Sequence, residues 1–238
     1  MSGENPEAEV RHATGTYMDM LSHDIVNDHQ AVLTYLELVL AERQLDPKLR
    51  AYAQKAVSHV RAATIAVENA KRLGQISARG VPNLRNYDLT EAAVKASADV
   101  ERIFPSRSIK VKLSHGPDAA MIVGDDSVED IILTLLVNAV RLDPVEDVEL
   151  EMRLKETKSK GKDFWTIEVE DKNAKLPSDV KLNDIEDLIS KDSSVNVKMS
   201  GIMFAKIVAK ALGGDFEAGH LEPKGAAFRV CFRKAVKP

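Results

Sequence analysis

Leu21-Ser22-His23-Asp24-Ile25-Val26-Asn27-Asp28-His29-Gln30 lies early in a segment whose apolar residues recur with helical spacing. At about 100° per residue, Leu21, Ile25, Val32, Leu36 and Val39 fall on one face, and His23, Asn27, Gln30, Thr34 and Glu37 line the opposite one. His23 therefore points at solvent, with a carboxylate directly after it on a rigid helix. Neutral imidazole titrates near physiological pH, so an exposed His-Asp step is a place for nucleophilic chemistry on nitrogen. An ordinary surface histidine would give the same letters, and the rest of the chain has to separate the two readings. Asp28 falls inside the apolar arc and His29 on its edge, and the periodicity gives neither a role.

The helical period holds over about residues 10–41 and stops near Gln44. Asp46-Pro47 restarts a helix, Asp46 as N-cap and Pro47 at the first helical position, where its missing N–H is no loss. So short a connection makes the two helices antiparallel. Along the second, residues 47–76, the seam is Ala53, Ala56, Val60, Ala63, Val67 and Ala70, with spacings of three and four alternating. Spacing of that kind is a coiled-coil signature. One hairpin cannot bury such a stripe on both helices, so a second copy is expected, giving a homodimeric four-helix bundle. The rival packing lays the hairpin against the C-terminal half.

The composition bounds what the chain does. Its 238 residues, 44% hydrophobic and 29% charged, suit one large or two ordinary globular domains. No stretch approaches the roughly 20 apolar residues of a membrane span. Residues 1–9 read as an acidic, disordered lead-in, with Glu4, Glu7 and Glu9 where a secretory signal carries basic residues, so a cytoplasmic location is expected. The single cysteine, Cys231, excludes an internal disulfide and fits a reducing compartment. A net charge of −4 argues against a nucleic-acid binder, which needs clustered Lys and Arg. The one basic cluster, Lys155, Lys158, Lys160 and Lys162, surrounds Gly161 at what reads as a hairpin tip.

Gly74, then the run from Ala78 to Asn83, breaks the helix. This sets a helical hairpin over residues 10–79, a linker over 80–86 and a second domain over 87–238. In that domain Tyr87-Asp88-Leu89-Thr90 opens a helix to about Ile103, residues 108–114 alternate as a strand, and 121–123 form another. Asp125-Asp126-Ser127 caps an apolar helix, residues 128–140. Residues 148–156 and 163–170 alternate as a hairpin. Residues 178–198 are polar, with a short helix at 183–189. A helix over 201–212 closes at Gly213-Gly214, and strands at 215–218 and 227–232 end the chain. Mixed order of this kind makes the whole α+β, the second domain one sheet covered on one face by helices.

Long helix with an exposed His-Asp, antiparallel second helix, linker, then an α/β sandwich: this order resembles the catalytic core of sensor histidine kinases. His23-Asp24-x-x-Asn27 is similar to that family's phosphoacceptor box, with Asp28 where proline often stands. Asp125 and the run from Ile131 to Val140 resemble its asparagine box, which implies Asn138 as Mg²⁺ ligand and puts Thr134 in place of the earlier asparagine. Val169-Glu170-Asp171 stands where the family places its first glycine box, which implies Asp171 as the carboxylate facing an adenine amino group. Lys172-Asn173-Ala174-Lys175 follows where glycines are expected, and Val197-Lys198-Met199-Ser200-Gly201 keeps one glycine of three, Gly201, as a nucleotide contact or a helix-start residue.

Glycines at a nucleotide site let backbone N–H groups approach phosphate with no Cβ in the way. Their replacement by Asn173, Lys175 and Met199 counts against an ATP and Mg²⁺ site. The resemblance then implies a two-component or phosphorelay protein that carries a phosphoryl group on His23, oriented by Asp24 with Asn27 beside it, and exchanges it with a response-regulator receiver domain. An active ATP-dependent kinase and a non-enzymatic dimeric scaffold are the alternatives.

Overall fold

The computed structural model describes residues 6–80, 84–116, 119–159, 161–175, 193–222 and 224–235, with the helix side chains of 6–12, 79 and 193–200 outside that description. The chain divides into two compact units, residues 1–82 with 102–106, and 83–101 with 107–238. Among the described residues no helix is long and apolar enough to cross a membrane.

The first unit is an antiparallel hairpin of α1 (Pro6–Ala41) and α2 (Pro47–Arg79). Asp46 caps α2 through its side chain, which accepts from Lys48 N at 2.8 Å and Leu49 N at 3.2 Å. Arg50 then closes the end of α1, donating to Leu40 O and Glu42 O, both at 2.8 Å. The single apolar face read from the sequence splits into two stripes. Ser22 and Leu33 are buried and Ile25, His29 and Leu36 half-buried, whereas Leu21, Val32, Tyr35 and Val39 are exposed. On α2, Ala53, Val57 and Ala62 are the buried apolar residues; of the alternating seam, Ala63 is exposed and Ala56, Val60, Val67 and Ala70 are only half-buried. His29 finds its role here: Thr64 Oγ1 lies 2.9 Å from its Nδ1 and donates its own hydrogen to Val60 O, so Nδ1–H donates to the hydroxyl. Asp28 is exposed, on the outer stripe.

The second unit opens with β1 (Arg85–Asp88), whose first two residues fall in the stretch read as linker. Asp88 caps α3 (Leu89–Ile103), accepting from Thr90 N at 2.8 Å. Then come β2 (Ser108–Ser114), β3 (Met121–Gly124), α4 (Ser127–Leu142), β4 (Asp147–Ser159) and β5 (Lys162–Asp171), followed by α5 (Ser193–Ala211), β6 (Asp215–His220) and β7 (Ala226–Arg233). β1 and β3 pair antiparallel; the main sheet runs β2-β4-β5-β7-β6, parallel only between β2 and β4. The α4 cap is Asp125, whose Oδ1 accepts from Ser127 N at 3.0 Å, whereas Asp126 makes no side-chain cap. The short helix expected at 183–189 lies outside the described residues.

Alternation divides the sheet into two faces. Leu150, Met152, Ile167, Val169, Phe228 and Val230 point one way and are buried, as are Ile131, Ile132, Leu135 and Leu136 of α4 and Phe204 and Val208 of α5. The other face is a ladder of paired charges: Lys112 with Glu149, Arg153 with Glu151 and Glu170, and Lys155 and Arg229 with Glu168. Glycine ends α5: Gly213 adopts φ 76°, which side chains disfavour.

Candidate functional site

The first cluster is built by one turn of α1. A spacing of four residues brings Asn27 back to His23. His23 Nδ1 lies 3.2 Å from Asp24 Oδ1, and Asn27 Nδ2 lies 3.3 Å from Nδ1 and 3.4 Å from Nε2. A carboxylate only accepts, so the Asp24 contact requires Nδ1–H, and in the neutral ring the lone pair is then on Nε2. The side chains of His23 and Asp24 are 73% and 80% exposed, open to a macromolecular partner.

The second group lies in the other unit. Asn138, on α4, is buried, and its Nδ2 has no hydrogen-bond partner among the described residues. A Cβ on Gly201 would sit 2.5 Å from that Nδ2 and 2.6 Å from Thr134 Cγ2. Gly201 is thus neither at the start of its helix nor in an open loop. α5 begins at Ser193 and crosses α4 at this glycine, where no larger residue fits. The crossing covers Asn138.

Asp171 ends β5 and is fully buried. Its Oδ1 accepts from Asn173 N at 2.7 Å and Ala174 N at 3.0 Å, while Oδ2 has no partner among the described residues. Burial pushes this carboxyl above the usual range, the two backbone donors pull against that, Asp143 adds to the rise and Arg107 opposes it. Of the residues after β5, Lys175 N donates to Leu142 O at 3.1 Å, while the Met199 side chain lies outside the described residues. The fold therefore brings Asn138 and Gly201 into contact and leaves Asp171 bonded to its own turn. Sequence reasoning passed over Asp143 and Arg107, although Asp143-Pro144 marks a helix end. A cavity of about 340 Å³ opens on the charged face of the sheet, beside Glu149, Glu151, Glu170 and Lys172, and none of the expected nucleotide residues lines it.

No family model and no curated protein matches the sequence. Solved structures do. Full-length ShkA in complex with AMPPNP superposes with a TM-score of 0.59 at 17% identity, over 94% of this chain and 47% of that one. The fold is that of a sensor histidine kinase core. The histidine kinase AdeS of Acinetobacter baumannii gives 0.53 at 14% identity, over 88% of this chain and 96% of that one. The nucleotide-free catalytic domain of the histidine kinase ThkA gives 0.51 at 14%, over 64% and 97%. This chain spans about half the length of ShkA, 47%.

Within a histidine kinase core, ATP and Mg²⁺ are implied at Asn138, Asp171 and Gly201. Asn138 Nδ2 and Asp171 Oδ2 lack hydrogen-bond partners among the described residues, as groups awaiting such a ligand would, but both side chains are buried. The amide that would face the metal lies under the backbone of α5, and the carboxylate that would face the base is out of reach of solvent, with one oxygen committed to its turn.

Proposed function

We propose that this chain is a histidine phosphotransferase of a two-component pathway, acting as a homodimer. It carries a phosphoryl group on His23 and exchanges it with the aspartate of a response-regulator receiver domain. The observation that carries this reading is a contrast: His23 is exposed and held by Asp24, while Asn138 and Asp171 are buried. In the forward step the Nε2 lone pair attacks the phosphorus of the receiver's aspartyl phosphate. An N–P bond forms as the P–O bond to the aspartyl group breaks, and the receiver aspartate leaves as a carboxylate. The ring becomes an imidazolium, and Asp24 stabilises that charge through Nδ1–H. Phosphoryl transfer depends mainly on positioning and charge, which a rigid helix supplies. Incubation with a phosphorylated receiver domain should place acid-labile phosphate on His23 and none on a His23→Ala variant; failure to label with any cognate receiver overturns the reading.

An ATP-dependent kinase is the second reading. It is favoured by the unpartnered Asn138 Nδ2 and Asp171 Oδ2, and by the AMPPNP held by ShkA. Titration with Mg²⁺ and ATP decides between the two. Saturable binding lost in Asp171→Ala supports the kinase, and no binding at millimolar nucleotide removes it.

A further inference from the structure

Asn27 touches both nitrogens of the His23 ring, its Nδ2 lying 3.3 Å from Nδ1 and 3.4 Å from Nε2. An atom in the plane of the ring cannot be nearly equidistant from the two at this range, because Cε1 lies between them on one side and Cγ and Cδ2 on the other. The amide nitrogen therefore stands over a face of the ring. Side chains of an α-helix lean toward its N-terminus, so a residue one turn later reaches back over His23.

That position leaves the reacting lone pair free. Nδ1 turns its hydrogen to Asp24, 3.2 Å away, and the Nε2 lone pair points outward in the ring plane, where the amide does not stand. A phosphoryl group on Nε2 carries three acceptor oxygens spaced evenly about the N–P bond, so at least one always projects to the Asn27 side of the plane. Asn27 is exposed and its terminal torsion is soft, so a short swing of the amide brings an N–H to that oxygen. The helix offers no charged donor for the purpose. Between Arg11 and Arg43 the chain has no lysine or arginine, and the exposed charges next to His23 and Asn27 are the carboxylates Asp24 and Asp28.

We infer that Asn27 is the ligand of the phosphoryl group on His23, its Nδ2–H donating to one of the phosphoryl oxygens. The inference rests on the reading of His23 as a phosphoacceptor. Asp24 then faces Nδ1–H and Asn27 faces the phosphoryl group, one side chain for each end of the ring. A neutral amide steadies the group between arrival and departure and, unlike a guanidinium, does not hold it with a full charge.

The test replaces the receiver with phosphoramidate, a small phosphoryl donor. Its own P–N bond breaks, ammonia leaves, and an N–P bond forms at His23 of the full chain. Proton–nitrogen NMR follows the side-chain amide of Asn27, assigned by the loss of its signals in Asn27→Leu. At least one of its two protons is expected to move downfield on phosphorylation, as it does on gaining an anionic acceptor. In Asn27→Leu, phosphorus NMR is expected to show phosphohistidine forming about tenfold more slowly, the effect of losing one hydrogen bond to a charged group. Amide protons that stay in place while His23 is phosphorylated overturn the inference, and so does an unchanged rate in Asn27→Leu. No phosphohistidine at saturating phosphoramidate removes the acceptor and its ligand together. Label from phosphoramidate with none from any receiver sinks the receiver reading alone, and a shifted amide then still supports Asn27 as the ligand.

Discussion

On the proposed reading, the chemistry of His23 rests on the residue beside it and on the one a turn later. The bond from Nδ1 to Asp24 fixes the tautomer and lets a carboxylate face the charge that develops during transfer. Asp24→Asn keeps an acceptor but removes that charge, and transfer from a phosphorylated receiver is expected to slow by about a hundredfold, read as the rate of His23 labelling. Gly201 is the corresponding single residue in the other unit. Gly201→Ala inserts a methyl against Asn138 and Thr134, and the crossing of α4 and α5 has little room to give. Overpacking of this kind costs about 1–3 kcal/mol, measurable by denaturant unfolding through Trp165, and unchanged stability would mean that the helices part freely there.

Elements whose signals are local were legible in the sequence, and elements that depend on distant partners were not. α2 announced itself through Asp46 and Pro47, and the β4–β5 hairpin through strict alternation around Gly161. β1 is four residues long and exists because it pairs with β3, whose register partners begin at Met121, so no local pattern marks it. The start of α5 was missed for a related reason. Gly201 looks like punctuation in a sequence, and only the α4 surface explains a glycine in a helix interior. His23, Asp24 and Asn27 could be placed together from spacing alone, whereas the burial of Asn138 and Asp171 is a property of packing. The open sheet face carries its own pH signature. Burial pushes the Glu168 carboxyl up, but Arg229 and Lys155 outweigh that and hold it below the usual glutamate range. Its contribution is present above the unfolded glutamate pKa and is lost as pH falls through the depressed folded value, opposite in sign to that of the buried Asp171, whose folded pKa is raised. Glu168→Gln should lower stability at pH 7 by about 2 kcal/mol and flatten the acid limb of a stability–pH curve; an unaltered acid limb would contradict the assignment.

At the scale of the whole molecule, the hairpin exposes more apolar surface than a solitary pair of helices in water accounts for. Tyr35 is 70% exposed and Leu38 66%, with Tyr17, Met20, Val32 and Val39 also exposed on α1. A second copy covering the outer stripe is the packing expected of the α1–α2 hairpin, and light scattering at tens of micromolar chain should give twice the 26.2 kDa chain mass. A monomeric mass there would remove the homodimer. On the proposed reading, the phosphoryl group reaches this chain from a receiver and rests on His23. The most direct test mixes the full-length chain with a phosphorylated receiver domain in one vessel and with Mg²⁺ and radiolabelled ATP in another, His23→Ala serving as control in both. Acid-labile label on His23 from the receiver, and none from ATP, is the predicted result; label from ATP with none from any receiver would contradict the account.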